Sequence, residues 1–161
     1  MKASLSETIN EPFDESLQAE IMKFYYSLTN EQDFFTLSLE EILAATKVVL
    51  LYDEDSNIVG LAGTRKKTFM SLYFMVVRHD FQGQGFGKKL ISKVLVDIPK
   101  YTLLMLTVGR SNLNARRLYH TVDFKTIFRH KSNAFMIYNN KIGQWLRWPM
   151  IIMLFLKTRI S

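Results

Sequence analysis

The chain has no cysteine in its 161 residues. Disulfides, thiolate metal sites and cysteine nucleophiles are therefore excluded, and a reducing, cytoplasmic setting is the expectation. The three histidines, His79, His120 and His130, are too scattered to suggest a metal site. Three prolines and seven glycines punctuate the chain, and repeats, low-complexity segments and linkers are lacking. No apolar run reaches the roughly 20 residues that a membrane-spanning helix needs. The longest, Pro149 to Leu156, reads as a buried last strand, although Trp145 and Trp148 beside it also suit a membrane interface. The opening Met1-Lys-Ala-Ser-Leu-Ser-Glu7 is polar and acidic, unlike a signal peptide.

What is present fits one domain over residues 1–161. Apolar residues make up 48% of the chain, enough for a sizeable core. The formal charge of +6 favours anionic partners. Basic residues are not interleaved with aromatics, so nucleic acid is not the expected partner.

The spacing predicts alternating helices and strands. Asp14 is placed to cap a helix carrying Leu17, Ile21, Phe24, Tyr25 and Leu28. Ser38-x-x-Glu41 reads as a capping box. Strands at 47–52, 58–64 and 68–77 form an antiparallel meander, with a turn at 53–57. A helix follows and is stopped by Pro99. A strand at 102–108, a helix from Ser111 or Asn112 to Val122, and a strand at 124–128 come next. Residues 134–138 read as a strand or a short helix, and 150–156 as the closing strand.

The densest signal lies between the third strand and the helix after it. Gly83, Gly85 and Gly87 fall within five residues, flanked by Gln82, Gln84, Phe86 and Lys88. Glycine lets main-chain N–H groups turn outward, and a helix start offers unpaired donors and a positive dipole end. The expected guest is a phosphate or diphosphate. The G-x-x-x-x-G-K-[ST] nucleotide loop fails, because Gln82 stands where glycine is needed and Lys89 where Ser or Thr should be. The dinucleotide pattern G-x-G-x-x-G also fits poorly. Gln82-x-x-Gly85-x-Gly87 remains.

That pattern resembles the acetyl-CoA motif of the GNAT superfamily of N-acetyltransferases. A second stretch agrees: Asn112-Leu-Asn-Ala115-Arg-Arg-Leu118-Tyr119 followed by Phe124 is similar to the later GNAT motif, with Asp123 where a glycine usually stands. The resemblance covers about residues 48–128. It implies an α/β fold: a mixed, largely antiparallel, twisted sheet flanked by helices and splayed at the acetyl-CoA site. It implies transfer of an acetyl group from acetyl-CoA, a co-substrate, to an amine of a small molecule or protein, without a metal. The alternative is an acyl-CoA-binding sensor that turns nothing over.

By the same resemblance, the Val77 amide is the oxyanion donor, and the Met75, Val76 and Val77 backbone pairs with the pantetheine arm. The turn Gln82, Gly83, Gln84, Gly85, Phe86, Gly87 and Lys88 holds the diphosphate. Asn112 helps hold the cofactor arm, and Tyr119 is the general acid for the leaving thiolate. Many relatives carry a glutamate base on the strand entering the motif, but Thr68-Phe-Met-Ser-Leu-Tyr-Phe-Met-Val-Val77 has no carboxylate. Tyr73, His79, Glu31 and Asp33 are the remaining candidates. The acceptor pocket is expected from residues 11–47 and 129–147. A homodimer paired through the aromatic tail, and a membrane contact there, stay open.

Overall fold

The computed structural model describes residues 5–10, 13–29, 38–66, 69–99 and 102–138, with 145 and 149 singly. The expected closing strand at 150–156, Glu11, Glu31, Asp33 and most of 139–148 lie outside the described residues. The chain divides into two compact units, Met1–Lys66 with Leu72–Asp97, and Lys67–Ser71 with Ile98–Ser161.

In the first unit the strands run in the order β1 (Leu5–Asn10), β2 (Lys47–Tyr52), β3 (Ile58–Lys66) and, from Leu72 on, β4 (Met70–Val77). β1 pairs antiparallel with β2, and β2 with β3. Val48, Val49, Leu50 and Leu51 of β2 are all buried, so both faces of that strand are covered. The β2–β3 turn closes on Asp53, whose Oδ1 accepts from the Asn57 amide at 2.8 Å and the Asp55 amide at 3.0 Å. Helix α1 (Glu15–Thr29) starts where Asp14 Oδ1 accepts from the Leu17 amide at 2.8 Å. Its apolar side (Leu17, Ile21, Phe24, Leu28) joins Ile42, Leu50, Leu61 and Phe74 in one core. Helix α2 (Leu39–Leu43) carries the full capping box: Ser38 Oγ accepts from the Glu41 amide at 3.2 Å, and Glu41 Oε2 from the Ser38 amide at 2.9 Å. After a 3₁₀ turn (His79–Phe81), α3 (Phe86–Val96) packs Leu90, Ile91 and Val94 inward, against β2 and β3.

In the second unit β5 (Leu104–Gly109), β7 (Asn133–Tyr138) and β6 (Phe124–His130) lie in that order, with both pairings antiparallel. The stretch that reads as strand or helix is therefore a strand, fixed by partners on both edges. Helix α4 (Leu113–Thr121) packs on β6. The fold is α/β, with largely antiparallel strands flanked by helices. No helix of the described residues is long and apolar enough to cross a membrane.

Asp123, between α4 and β6, has φ 65°. The glycine usual at this point of the motif is explained by that backbone, which an L-residue enters at a cost of about 1–2 kcal/mol. Glycine's extra chain entropy costs only about 0.5–1 kcal/mol. Aspartate enters this region more readily than most side chains, so Asp123→Gly should shift stability by no more than about 0.5 kcal/mol, seen as a nearly unchanged urea midpoint and slope.

Candidate active site

The path from β4 into α3 is built by short-range contacts. Buried Phe81 and Phe86 pack with ring centroids 5.6 Å apart and pin the two ends of the glycine turn. Gln82 Nε2 donates to the Val77 carbonyl at 2.9 Å, and Gln84 Nε2 donates to the Asp80 carbonyl at 2.8 Å. Each glutamine amide thus uses one of its two N–H donors to brace the turn. Arg78 grips Asp80 through two bonds of 2.8 and 3.0 Å. This ion pair holds the Asp80 carboxyl below its usual range and offsets a negative charge beside the turn.

Gly83 and Gly85 have φ of 74° and 86°. A β-carbon built on either would meet nothing within 4 Å, so the side chains of the described residues leave that corner open. Gly85 is the N-cap of α3 and offers no side chain to satisfy the first turn. The first α3 bond runs from the Lys89 amide to the Gly85 carbonyl at 3.1 Å. The amides of Phe86, Gly87 and Lys88 precede it and face outward as donors. No acid lies in this first turn, and Lys88 is exposed. Uncapped amides, left-handed glycines, open space and positive charge are together the chemistry that can accept an anion.

Val77 lies at the end of β4, one residue before Arg78, whose amide donates to the Val59 carbonyl of β3 at 2.8 Å. Successive amides of an extended strand point to opposite edges, so the Val77 N–H points away from β3. Met75, Val76 and Val77 are half-buried on that strand.

In the second unit Asn112 caps α4, its Oδ1 accepting from the Ala115 amide at 3.0 Å. The cap uses only the oxygen; the Nδ2 hydrogens make no bond among the described residues. Tyr119, two turns on, is 7% exposed and packs against Phe124 with ring centroids 5.8 Å apart. Burial pushes its phenol up to about 12. Its hydroxyl has no hydrogen bond among the described residues.

One carboxylate reaches the strand that carries none of its own. Tyr73 Oη donates to Glu41 Oε1 at 2.8 Å, joining β4 to α2. Arg65 of β3 lies 5.3 Å from the centroid of the Tyr73 ring. Sequence reasoning noted Tyr73 but read Glu41 only as a cap, since a contact 32 residues apart leaves no local pattern. His79, the other candidate among the described residues, is exposed in the 3₁₀ turn.

A model of the acetyltransferase (GNAT) domain matches residues 13–137, spanning both units. No curated protein matches. Solved structures similar to this chain include a GNAT-family acetyltransferase from Staphylococcus aureus Mu50. It is 20% identical, with 83% of this chain and 98% of that one covered and a TM-score of 0.61. The ribosomal-protein-S18-alanine N-acetyltransferase of Escherichia coli is 17% identical, with 83% and 91% covered and a TM-score of 0.60. Arabidopsis thaliana NAA60, solved with a bisubstrate analogue, is 15% identical, with 84% and 100% covered and a TM-score of 0.60. At these identities the structures establish a shared fold, while the domain match covers most of the chain. A family model that runs through both units and matches most of the chain shows that this chain belongs to the GNAT acetyltransferase family.

Proposed function

We propose that this chain is a single-domain N-acetyltransferase that moves the acetyl group of acetyl-CoA to an amine of a small molecule or protein. The observation that carries this reading is the uncapped start of α3 behind two left-handed glycines with empty space above them. The diphosphate of CoA would sit on the amides of Phe86, Gly87 and Lys88, with Lys88 adding charge. The pantetheine arm would pair with the backbone of Met75, Val76 and Val77. The Val77 amide, on the edge of β4 away from β3, would donate to the thioester oxygen as negative charge builds on it.

By the family resemblance Tyr119 is the residue assigned to the leaving sulfur, and its buried phenol suits a neutral hydrogen-bond donor. A complete proton transfer from a group near 12 to a thiolate whose acid sits near 8.5 climbs about 5 kcal/mol. The phenol therefore stabilises the thiolate by a short hydrogen bond, and solvent completes its protonation. Tyr119→Phe is expected to lower kcat about tenfold to a hundredfold and leave acetyl-CoA affinity within threefold, read by steady-state kinetics and calorimetry.

The function is tested by incubating the chain with acetyl-CoA and a panel of peptide N-termini, lysine peptides and small primary amines. Release of free thiol is the readout, and a cysteine-free chain contributes no thiol of its own. Acetyl-CoA binding with no thiol released on any amine would leave the carrier-binding sensor instead.

A further inference from the structure

We propose that Tyr73 and Glu41 form the proton relay for the attacking amine, Tyr73 touching the nitrogen and Glu41 standing behind it as the positioning residue. This rests on the acetyltransferase reading above. Three observations carry it.

The first is geometry. Glu41 is held at both oxygens: Oε2 accepts the Ser38 amide at 2.9 Å and Oε1 accepts the Tyr73 hydroxyl at 2.8 Å. A phenol that donates its hydrogen still has lone pairs to accept another. Tyr73 is half-buried rather than sealed, so an amine can reach it. The second is placement. Tyr73 and Val77 share β4 and, four residues apart, point to the same face, about 13 Å apart along the strand. That span leaves room for a side chain, an amine and an acetyl group. The third is charge. Among the described residues the polar groups at the pair are Ser38 and Glu41 of the α2 cap, and Arg65, whose guanidinium lies 5.3 Å from the Tyr73 ring centroid. The Ser38 amide, the Tyr73 hydroxyl and Arg65 all favour the ionised carboxylate, while the carboxylate holds the Tyr73 proton in place. The resting state is thus a carboxylate hydrogen-bonded to a neutral phenol.

The step balances. The neutral amine attacks the thioester carbon, the C–N bond forms, and the nitrogen becomes positive and acidic. Its proton passes to Tyr73 Oη as the Tyr73 proton passes to Glu41 Oε1. The C–S bond breaks and the electron pair leaves on sulfur. One proton leaves the amine and one joins the thiolate, and Glu41 returns its proton to water.

The decisive variant is Glu41→Gln. Glutamine also serves at this position of a capping box and still accepts from Tyr73, so cap and contact survive while basicity is lost. Tyr73→Phe removes only the hydroxyl. Both are measured with acetyl-CoA and the amine of the panel that the wild type acetylates fastest. Each is expected to lower kcat about a hundredfold, with KM for the amine and Kd for acetyl-CoA within threefold and Tm nearly unchanged. A purely structural tie predicts the opposite: Tm falls with Tyr73→Phe while Glu41→Gln keeps full kcat, and that result overturns the relay alone. A wild-type chain that binds acetyl-CoA and acetylates nothing in the panel overturns the parent reading and the relay together.

Discussion

Gly85→Glu is expected to abolish measurable acetyl-CoA binding while the chain stays folded. The new side chain would enter space where nothing lies within 4 Å, so it meets no steric barrier. Its backbone must hold φ 86°, which costs about 1–2 kcal/mol. A domain with about 5–15 kcal/mol of stability tolerates that. The carboxylate, however, would stand beside the amides proposed to hold the diphosphate. Like charges about 4 Å apart near a protein surface repel by about 4 kcal/mol, a loss near a thousandfold in affinity. Gly85→Asn separates strain from charge. Asparagine enters the left-handed region more readily than other side chains and brings no anion, so its Kd should rise less than about tenfold. Calorimetry with acetyl-CoA, beside a urea melt of each variant, reads both effects. Normal affinity in the glutamate variant would remove the diphosphate from this corner.

Gly63→Ala should be the most destabilising conservative change in the first unit. A β-carbon at Gly63 in β3 would fall on the Cζ and Cε1 atoms of the Phe74 ring, too close for any real contact. Phe74 is itself buried in the core with Leu50, Leu61 and α1, so the ring has nowhere to swing. Overpacking of this kind costs about 1–3 kcal/mol, and the upper end applies where a rigid ring must move. For a chain of this length that lowers Tm by about 6–12 °C. Gly60 is the contrast: its β-carbon would meet the Val76 carbonyl oxygen at 3.1 Å and Val77 Cγ2 at 3.3 Å, gaps that shifts of a few tenths of an ångström relieve. Combining Gly63→Ala with Phe74→Leu should give a loss at least about 1 kcal/mol smaller than the sum of the single changes. Strict additivity would show that the ring is not the obstacle.

Elements with a strong period or a turn signal were legible in the sequence. The capping box at Ser38 and Glu41, the span of β2 and the N-caps Asp14 and Asn112 stand where the residues indicate. The glycine turn was legible because three glycines before an apolar helix have few other uses. β1 was not, since Leu-Ser-Glu-Thr-Ile-Asn carries too few apolar residues for an alternation and is held by backbone pairing to β2. β7 was ambiguous because Ala134, Phe135, Met136, Ile137 and Tyr138 suit either period; pairing with β5 and β6 decides it. Within the site, the roles of Gln82 and Glu41 depend on which carbonyl or hydroxyl the fold brings to them. Residue type and spacing carry no record of that.

The family match begins at residue 13, yet β1 occupies Leu5–Asn10 at the margin of the strand order. A fragment trimmed to the matched span would discard it and bare one whole side of β2. The amides and carbonyls that now meet Ser6 to Ile9 would face water along a segment composed almost wholly of valine and leucine. Such a row is a template for recruiting a stranger. The six residues of β1 thus shield β2 from self-association, a duty their own composition does nothing to advertise.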